Sequence, residues 1–189
     1  MSKYSINDVK IIADGLDHPE CVAVHADGSI WAGGEGGQIY KIHSDGTWQE
    51  IINTGGFILG LAFSSNGWMA ICDLKNKCLW RYELITNTLS LLASEVEGQP
   101  LMTPNFPVFD SEGNLYVSDS GHFRQHNGRI YKFDKNGNGH IWHSGPFPFA
   151  NGMALSMDAS QLYVASTWLP GVEAIAINAG FNPEGGSRN

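Results

Sequence analysis

Four short apolar runs separated by turn residues follow one another in segment 21–52, which reads CVAVHADGSIWAGGEGGQIYKIHSDGTWQEII. Two of the turns are Asp27-Gly28 and Asp45-Gly46. Asp-Gly between apolar runs is a strong hairpin signal, because both turn residues can take a positive φ. The runs are rich in β-branched and aromatic residues, which suit a half-buried sheet face. The segment therefore predicts a unit of four antiparallel strands.

The same unit recurs along the chain, in copies that cover about residues 16–52, 57–93, 103–144 and 149–182. The equivalent turns are separated by 39, 46 and 46 residues and lie at Asp27-Gly28, Asn66-Gly67, Glu112-Gly113 and Asp158-Ala159. Four strands per unit at this period are typical of β-propeller blades. We predict an all-β fold in which residues 1–189 form one propeller domain. A β-sandwich also has short strands and regular turns, but it does not explain the similarity between copies.

The fourth copy contains fewer predicted strands than the other three. Only three are predicted there, at 153–155, 162–165 and 173–177, and the tail 180–189 (GFNPEGGSRN) is predicted to be disordered. Propellers protect their strand edges by closing into a ring. The chain is therefore expected either to close as a very small propeller or to be the front part of a longer one.

Charge and hydropathy disfavour several classes of partner. The 189 residues include 11 Lys and Arg and 19 Asp and Glu, a formal charge of −8, which argues against general binding to nucleic acid or anionic membranes. No run of eighteen apolar residues is present, so no membrane-spanning helix is predicted. The first residues contain no apolar stretch of the signal-peptide type, which favours a cytoplasmic location.

Three segments carry a resemblance to a known family. They are 16–20 (LDHPE), 103–119 (TPNFPVFDSEGNLYVSD) and 149–165 (FANGMALSMDASQLYVA). Together they resemble the senescence-marker protein and gluconolactonase family, whose members are calcium-dependent six-bladed propellers. Paraoxonases and strictosidine synthase are more distant relatives on the same architecture. The resemblance implies that this chain holds about four blades of a probable six.

The resemblance also implies a divalent-cation site at the top of the central channel. By match, Glu20 looks like the glutamate ligand of the first blade and Asn151 looks like an asparagine ligand. Asn105 looks like the asparagine that binds either the metal or the substrate. The family's aspartate ligand, which also looks like its catalytic base, would fall in a fifth blade. No catalytic residue is therefore assigned in this chain.

The positions of these residues in the repeats support the same hypothesis. Glu20, Asn105 and Asn151 stand at the same place in copies one, three and four, where the innermost strand begins. In a propeller such positions converge on the axis. One carboxylate with two amide oxygens is a hard-oxygen set that suits Ca²⁺ or Mg²⁺. We predict Ca²⁺, with Mg²⁺ or Zn²⁺ as alternatives.

Two other polar features are interpreted differently. The run 134–139 (DKNGNG) matches half of an EF-hand loop, but Gly145 stands where that loop needs glutamate, so a hairpin turn is the better account. His122, Arg124 and His126 lie on a longer loop of copy three. They either line a substrate entrance or are exposed loop residues.

The predicted function is metal-dependent hydrolysis of a lactone or related ester. The cation would polarise the carbonyl and stabilise the developing oxyanion. Two alternatives stay open: a non-catalytic propeller that binds a small ligand or a protein, and an inactive fragment of a longer enzyme. An exposed edge at copy four would favour self-association.

Overall fold

The computed structural model describes residues 5–177. A short 3₁₀ turn at Ile6–Asp8 precedes the sheets, and a capping box between Ser5 and Asp8 begins it. All other regular elements in the described range are strands. Residues 178–182 of the predicted fourth blade, and the predicted disordered tail 180–189, lie outside the described residues.

The first two sheets each have four antiparallel strands in sequential order. Their strands are β1 (Cys21–Val24), β2 (Ile30–Gly33), β3 (Gln38–Ile42), β4 (Trp48–Asn53), β5 (Ile58–Phe63), β6 (Trp68–Asp73), β7 (Cys78–Glu83) and β8 (Thr88–Ala93). A small hairpin of β9 (Glu95–Val96) and β10 (Gln99–Pro100) follows the second sheet.

The third sheet repeats the arrangement, and the fourth has three strands within the described range. Their strands are β11 (Pro104–Phe109), β12 (Leu115–Asp119), β13 (Gly128–Phe133), β14 (Gly139–Phe147), β15 (Ala150–Leu155), β16 (Gln161–Ser166) and β17 (Val172–Ala176). The prediction of an all-β propeller with antiparallel blades is confirmed. We refer to the four sheets as blades one to four.

The turn between β1 and β2 shows how a predicted Asp-Gly hairpin turn is formed. Gly28 N donates to His25 O at 2.9 Å and His25 N donates to Ser29 O at 2.9 Å, so the turn is a tight one closed by a single left-handed residue. That residue is Gly28, with φ 84°, whereas Asp27 keeps a negative φ. The predicted turn at Asp27-Gly28 is therefore present, with the positive φ at the glycine alone. The carboxylate of Asp27 instead accepts from Ser29 N at 2.8 Å.

Apolar side chains fill the space between successive blades. Trp31 and Ile39 of blade one pack with Ile58 and Met69 of blade two. Similar clusters join blade two to blade three and blade three to blade four. Alternation of inward and outward side chains along each strand supplies an apolar surface to both sides of a blade. This stacking places the blades side by side around a common axis.

The innermost strands lie next to one another in the order β1, β5, β11 and β15. Within residues 5–177 no comparable packing connects β15 back to β1. The described part of the chain therefore forms an open arc of blades. No helix among residues 5–177 is long and apolar enough to cross a bilayer.

Candidate metal and substrate site

The predicted ligands lie at one end of the arc, which we call the top end. All four innermost strands begin there, and the antiparallel second strands end there, as the pairing of Pro104 with Asp119 shows. Glu20 directly precedes β1, Asn105 is the second residue of β11, and Asn151 is the second residue of β15. Asn105 and Asn151 thus have the same position in their strands, whereas Glu20 lies just outside the corresponding strand of blade one.

Asn105 is held in a fixed orientation by its neighbours. Its side chain is buried, and Nδ2 donates to Ser120 Oγ at 2.9 Å. Ser120 Oγ in turn donates its only proton to Ala150 O at 2.5 Å. The hydroxyl can therefore only accept from Asn105, which requires the N–H side of the amide to face it. Among the described residues nothing donates to Asn105 Oδ1, so this oxygen is available to a ligand.

Asn151 is exposed but also has one side of its amide engaged. Its Nδ2 donates to Thr167 Oγ1 at 3.3 Å. Its backbone oxygen accepts from Ser118 Oγ at 2.8 Å, which joins β15 to the end of β12. Its Oδ1 accepts no hydrogen bond from residues 5–177. Two amide oxygens that accept no hydrogen bond from the described residues therefore lie at the start of neighbouring innermost strands.

Glu20 is exposed, and within the described range its carboxylate forms no hydrogen bond or ion pair. Its backbone N donates to Gly33 O at 3.4 Å. The nearby His18 does not bond to it; His18 Nδ1 lies 3.1 Å from Asp17 Oδ1 and 3.5 Å from Glu35 Oε2. The hydrogen bond to Asp17 and the charge of Glu35 raise the pKa of His18.

The three predicted ligands share an end of the arc, but no hydrogen bond or ion pair links their side chains among residues 5–177. In that range no group of three or more His, Cys, Asp or Glu side chains is arranged to hold a metal. The available donors are one carboxylate and two amide oxygens, which fit a hard cation. Ca²⁺ takes six to eight oxygens, so water, substrate or other residues would complete the shell.

The repeat analysis missed two buried carboxylates at the top end. Asp73 and Asp119 end the second strands of blades two and three, and both are fully buried. Asp119 accepts from Met102 N at 2.7 Å, Thr103 N at 2.8 Å and Gly121 N at 2.9 Å. These bonds fix the loop that leads into β11 and Asn105. The repeated Asp after an apolar second strand was the available signal in the sequence.

Asp73 has the same role in blade two. Its Oδ1 accepts from Phe57 N at 3.1 Å and from Asn76 N at 3.0 Å, and its Oδ2 accepts from Trp80 Nε1 at 3.1 Å. The adjacent Gly56 leaves the room that this carboxylate occupies, because a Cβ there would lie 2.0 Å from either carboxylate oxygen. At the top end of blade two the carboxylate therefore stabilises the loops. Blade two has no side-chain oxygen at the position equivalent to Asn105, where Leu59 stands.

Comparison with known proteins places the chain in a family. Residues 18–182 match the SMP-30/gluconolactonase/LRE-like region. The chain belongs to this family. Among curated family relatives, the protein STRICTOSIDINE SYNTHASE-LIKE 6 of Arabidopsis thaliana is 27% identical over 183 residues, which cover 87% of this chain and 49% of that protein. The adipocyte plasma membrane-associated protein Hemomucin of Drosophila melanogaster is 28% identical over 197 residues, covering 88% and 34%.

Solved structures share the fold of this family member at low sequence identity. A gluconolactonase from Xanthomonas campestris superposes with a TM-score of 0.76 at 19% identity, over 87% of this chain and 60% of that structure. A second structure, to which a gluconolactonase function is attributed, gives a TM-score of 0.78 at 18% identity, over 90% and 63%. The chain spans about half or less of the length of the curated relatives it matches.

Proposed function

We propose that this family member takes part in the metal-dependent hydrolysis of a lactone or related carboxylic ester. The observation that carries the proposal is Asn105, a buried residue whose amide nitrogen is engaged by Ser120 and whose amide oxygen accepts no hydrogen bond from the described residues. This oxygen is not among the fully buried, unpartnered side-chain atoms of the described residues, so it keeps some contact with solvent and can bind a ligand without first breaking a hydrogen bond within the protein. Glu20 and Asn151 offer further free oxygens at the same end.

The residues of this chain would bind and orient rather than transfer protons. Glu20 supplies the negative charge that holds a cation, and Asn151 supplies a neutral oxygen. Asn105 binds either the same ion or the substrate, and Ser120 fixes its direction. A bound Ca²⁺ polarises a carbonyl and stabilises the oxyanion that forms when water attacks it. None of the described residues is assigned as the base that activates this water.

Calcium binding by titration calorimetry tests the proposal. We expect the unaltered chain to bind Ca²⁺ and the variant Glu20→Gln to bind at least tenfold more weakly, because the only carboxylate of the set loses its charge. Glu112→Gln is the matched control, since Glu112 is an exposed glutamate on a hairpin turn at the opposite end. Equal binding by Glu20→Gln and the unaltered chain, or no binding by either, would contradict the metal site.

A second candidate function is a propeller that binds a small ligand or a protein without turnover. The observation that favours it is the donor set itself, which holds one carboxylate and has no assigned base among residues 5–177. A screen with lactones and aryl esters separates the two functions. Hydrolysis that disappears in Glu20→Gln supports the enzyme, whereas Ca²⁺-dependent binding without hydrolysis supports the binding protein.

A further inference from the structure

Three aromatic side chains from separate top-end segments form a cluster that the proposed chemistry does not use. Phe123 lies on the loop between β12 and β13, Phe149 directly precedes β15, and Trp168 lies on the loop between β16 and β17. The ring centroid of Phe123 is 5.7 Å from that of Phe149 and 5.4 Å from that of Trp168, both edge to face. We call these three residues the aromatic cluster.

The aromatic cluster faces solvent although its rings contact one another. Phe123 is 64% exposed and Trp168 is 41% exposed. Rings of this size normally contribute to a core or to an interface, where their apolar area is removed from water. Grouped apolar side chains on a surface beside a polar site are typical of ligand recognition.

Hydrogen bonds connect the aromatic cluster to the proposed ligand Asn151 through Thr167. Thr167 N donates to Phe149 O at 3.0 Å, and Trp168 N donates to Pro148 O at 3.1 Å. Asn151 Nδ2 donates to the side chain of Thr167, the residue next to Trp168. The cluster is therefore continuous with the candidate site, and an occupant of one would extend over the other.

The loop that carries Phe123 is held in a defined shape. Asn127 Oδ1 accepts from His122 N at 2.9 Å, which closes the loop across its base. Arg124 has φ 62° and Phe149 has φ 67°. Residues other than glycine seldom adopt this backbone conformation, and it persists where the surrounding structure imposes it. The rings are thus presented by an ordered scaffold, as a recognition surface requires.

Arg124 is the only Lys, Arg, Asp or Glu residue on the two loops that carry Phe123 and Trp168. The Arg124 guanidinium lies 5.5 Å from the ring centroid of Phe123, and within the described range it forms no ion pair. The loops 120–127 and 167–171 contain no Asp or Glu. Glu173, on the strand after the second loop, accepts a hydrogen bond from Ser166 Oγ at 3.2 Å. An anionic ligand is therefore favoured over a cationic one.

We infer that the aromatic cluster binds an apolar, ring-bearing part of the substrate, and that Arg124 attracts the carboxylate of the hydroxy acid formed on hydrolysis. The inference rests on the proposed function for the class of reaction. It adds that the substrate is an aryl-substituted lactone or ester rather than a polyhydroxylated sugar lactone. It also assigns Phe123, Phe149 and Trp168 as residues that determine specificity.

The test measures binding in a buffer with EDTA, by NMR of the Trp168 indole N–H, which is assigned with Trp168→Phe. The probes are a phenyl-substituted γ-lactone, its hydroxy acid, and a polyhydroxylated aldonolactone of similar size. We expect the two phenyl probes to shift the signal and the aldonolactone to bind at least tenfold more weakly. Phe123→Ala should weaken binding of both phenyl probes by about three- to tenfold, the usual value of one aromatic contact.

Two further variants make the result specific. Arg124→Gln should weaken binding of the hydroxy acid alone. Ile85→Ala is the control, because Ile85 is 90% exposed on the loop between β7 and β8 at the opposite end, and it should change nothing. Failure of the phenyl probes to bind, or equal binding by Phe123→Ala and Ile85→Ala, would overturn the inference. Absence of calcium binding or hydrolysis would contradict only the proposed function, because these titrations contain no free metal.

Discussion

Single carboxylates accept hydrogen bonds from irregular backbone in two different environments among the described residues. Asp119 is fully buried and accepts three backbone N–H groups at the top end. Asp134 accepts from Asn136 N and Asn138 N in an exposed hairpin turn, which confirms the prediction of a turn rather than an EF-hand. Hydrogen bonds from backbone N–H to carboxylate should contribute much more to the free energy of unfolding at the buried Asp119 than at Asp134, because water cannot replace them there.

Asp119→Asn tests this difference. The substituted amide has an NH₂ group where one carboxylate oxygen accepted, so at least one buried backbone N–H loses its partner. We expect the free energy of unfolding, measured in urea, to fall by about 1–3 kcal/mol. Asp134→Asn is the exposed counterpart and should change it by under about 1 kcal/mol. Equal effects would show that the buried bonds add no more than the exposed ones.

The pKa of Asp158, in the turn between β15 and β16, depends on hydrogen bonds within that turn. The hydrogen bond from Ser156 Oγ, followed by those from Ser160, lowers the pKa of Asp158 from 3.8 to about 2. Because the folded pKa lies below the unfolded one, its contribution to stability is complete above about pH 4. It is lost as the pH falls through about 2.

A carboxyl NMR titration measures this pKa directly. Ser156→Ala removes the largest cause and should raise the Asp158 midpoint toward 3.8. An exposed carboxylate contributes little energy, so the chemical shift is the appropriate observable. A midpoint near 3.8 in the unaltered protein would show that the turn does not stabilise the charged form.

At the scale of elements, the innermost strands approach each other closely where a side chain is missing. Gly60, the third residue of β5, lies against β11, the innermost strand of blade three. A Cβ at this position would lie 2.2 Å from Asn105 O and 2.5 Å from Pro107 Cδ. Gly152 is the third residue of β15, and a Cβ there would have no atom within 4 Å. The two glycines stand at equivalent strand positions, but only Gly60 lies where a larger side chain would clash with the neighbouring strand.

Gly60→Ala and Gly152→Ala make a matched pair. We expect the first to lower the free energy of unfolding by about 1–3 kcal/mol, because β5 and β11 must separate to admit the methyl group. The second should be neutral or stabilising by up to about 1 kcal/mol, since alanine restricts the unfolded chain more than glycine does. Circular dichroism during urea unfolding gives both values. A neutral Gly60→Ala would show that the two strands do not need this close approach.

At the scale of the whole molecule, no cluster of buried apolar side chains among residues 5–177 covers the outward face of blade four. Its alternating residues Ala154, Tyr163, Ala165 and Val172 are exposed, and Val172 reaches 68%. On blade one, Ala32 and Ile42 of the outward face are covered by Ala13 and Leu16. Within residues 5–177 strand β17 pairs only with β16. Such a face favours association.

We propose that a second copy of this chain covers that face. The expected outcome is concentration-dependent dimerisation in light scattering coupled to size-exclusion chromatography. Val172→Lys should weaken the association at least tenfold, because a charge replaces an exposed apolar side chain of that face. Ile85→Lys places the same change on an equally apolar, exposed side chain at the opposite end of the strands and should have no effect. A monomer at every concentration would exclude the dimer.

Much of the fold was predictable because its signals are local. Strand positions, hairpin turns and the repeat follow from short runs, as Asp27-Gly28 and Asn66-Gly67 show. The short runs do not tell which of the two turn residues takes the positive φ, because the turn type depends on how the two strands are paired, and in the first turn it is Gly28. The candidate ligands Glu20, Asn105 and Asn151 were found by their place in the repeat, and their role as ligands stays a prediction.

The sequence by itself determined the alternation, the turns and the period, because each depends on neighbours within a few residues. Only the tertiary structure decided which way Asn105 points, since that depends on a proton that Ser120 gives to Ala150 on another blade. The aromatic cluster likewise needs segments around Phe123 and Trp168 that are distant in sequence. Contacts of this kind are formed by the packing of blades, and no local pattern encodes them.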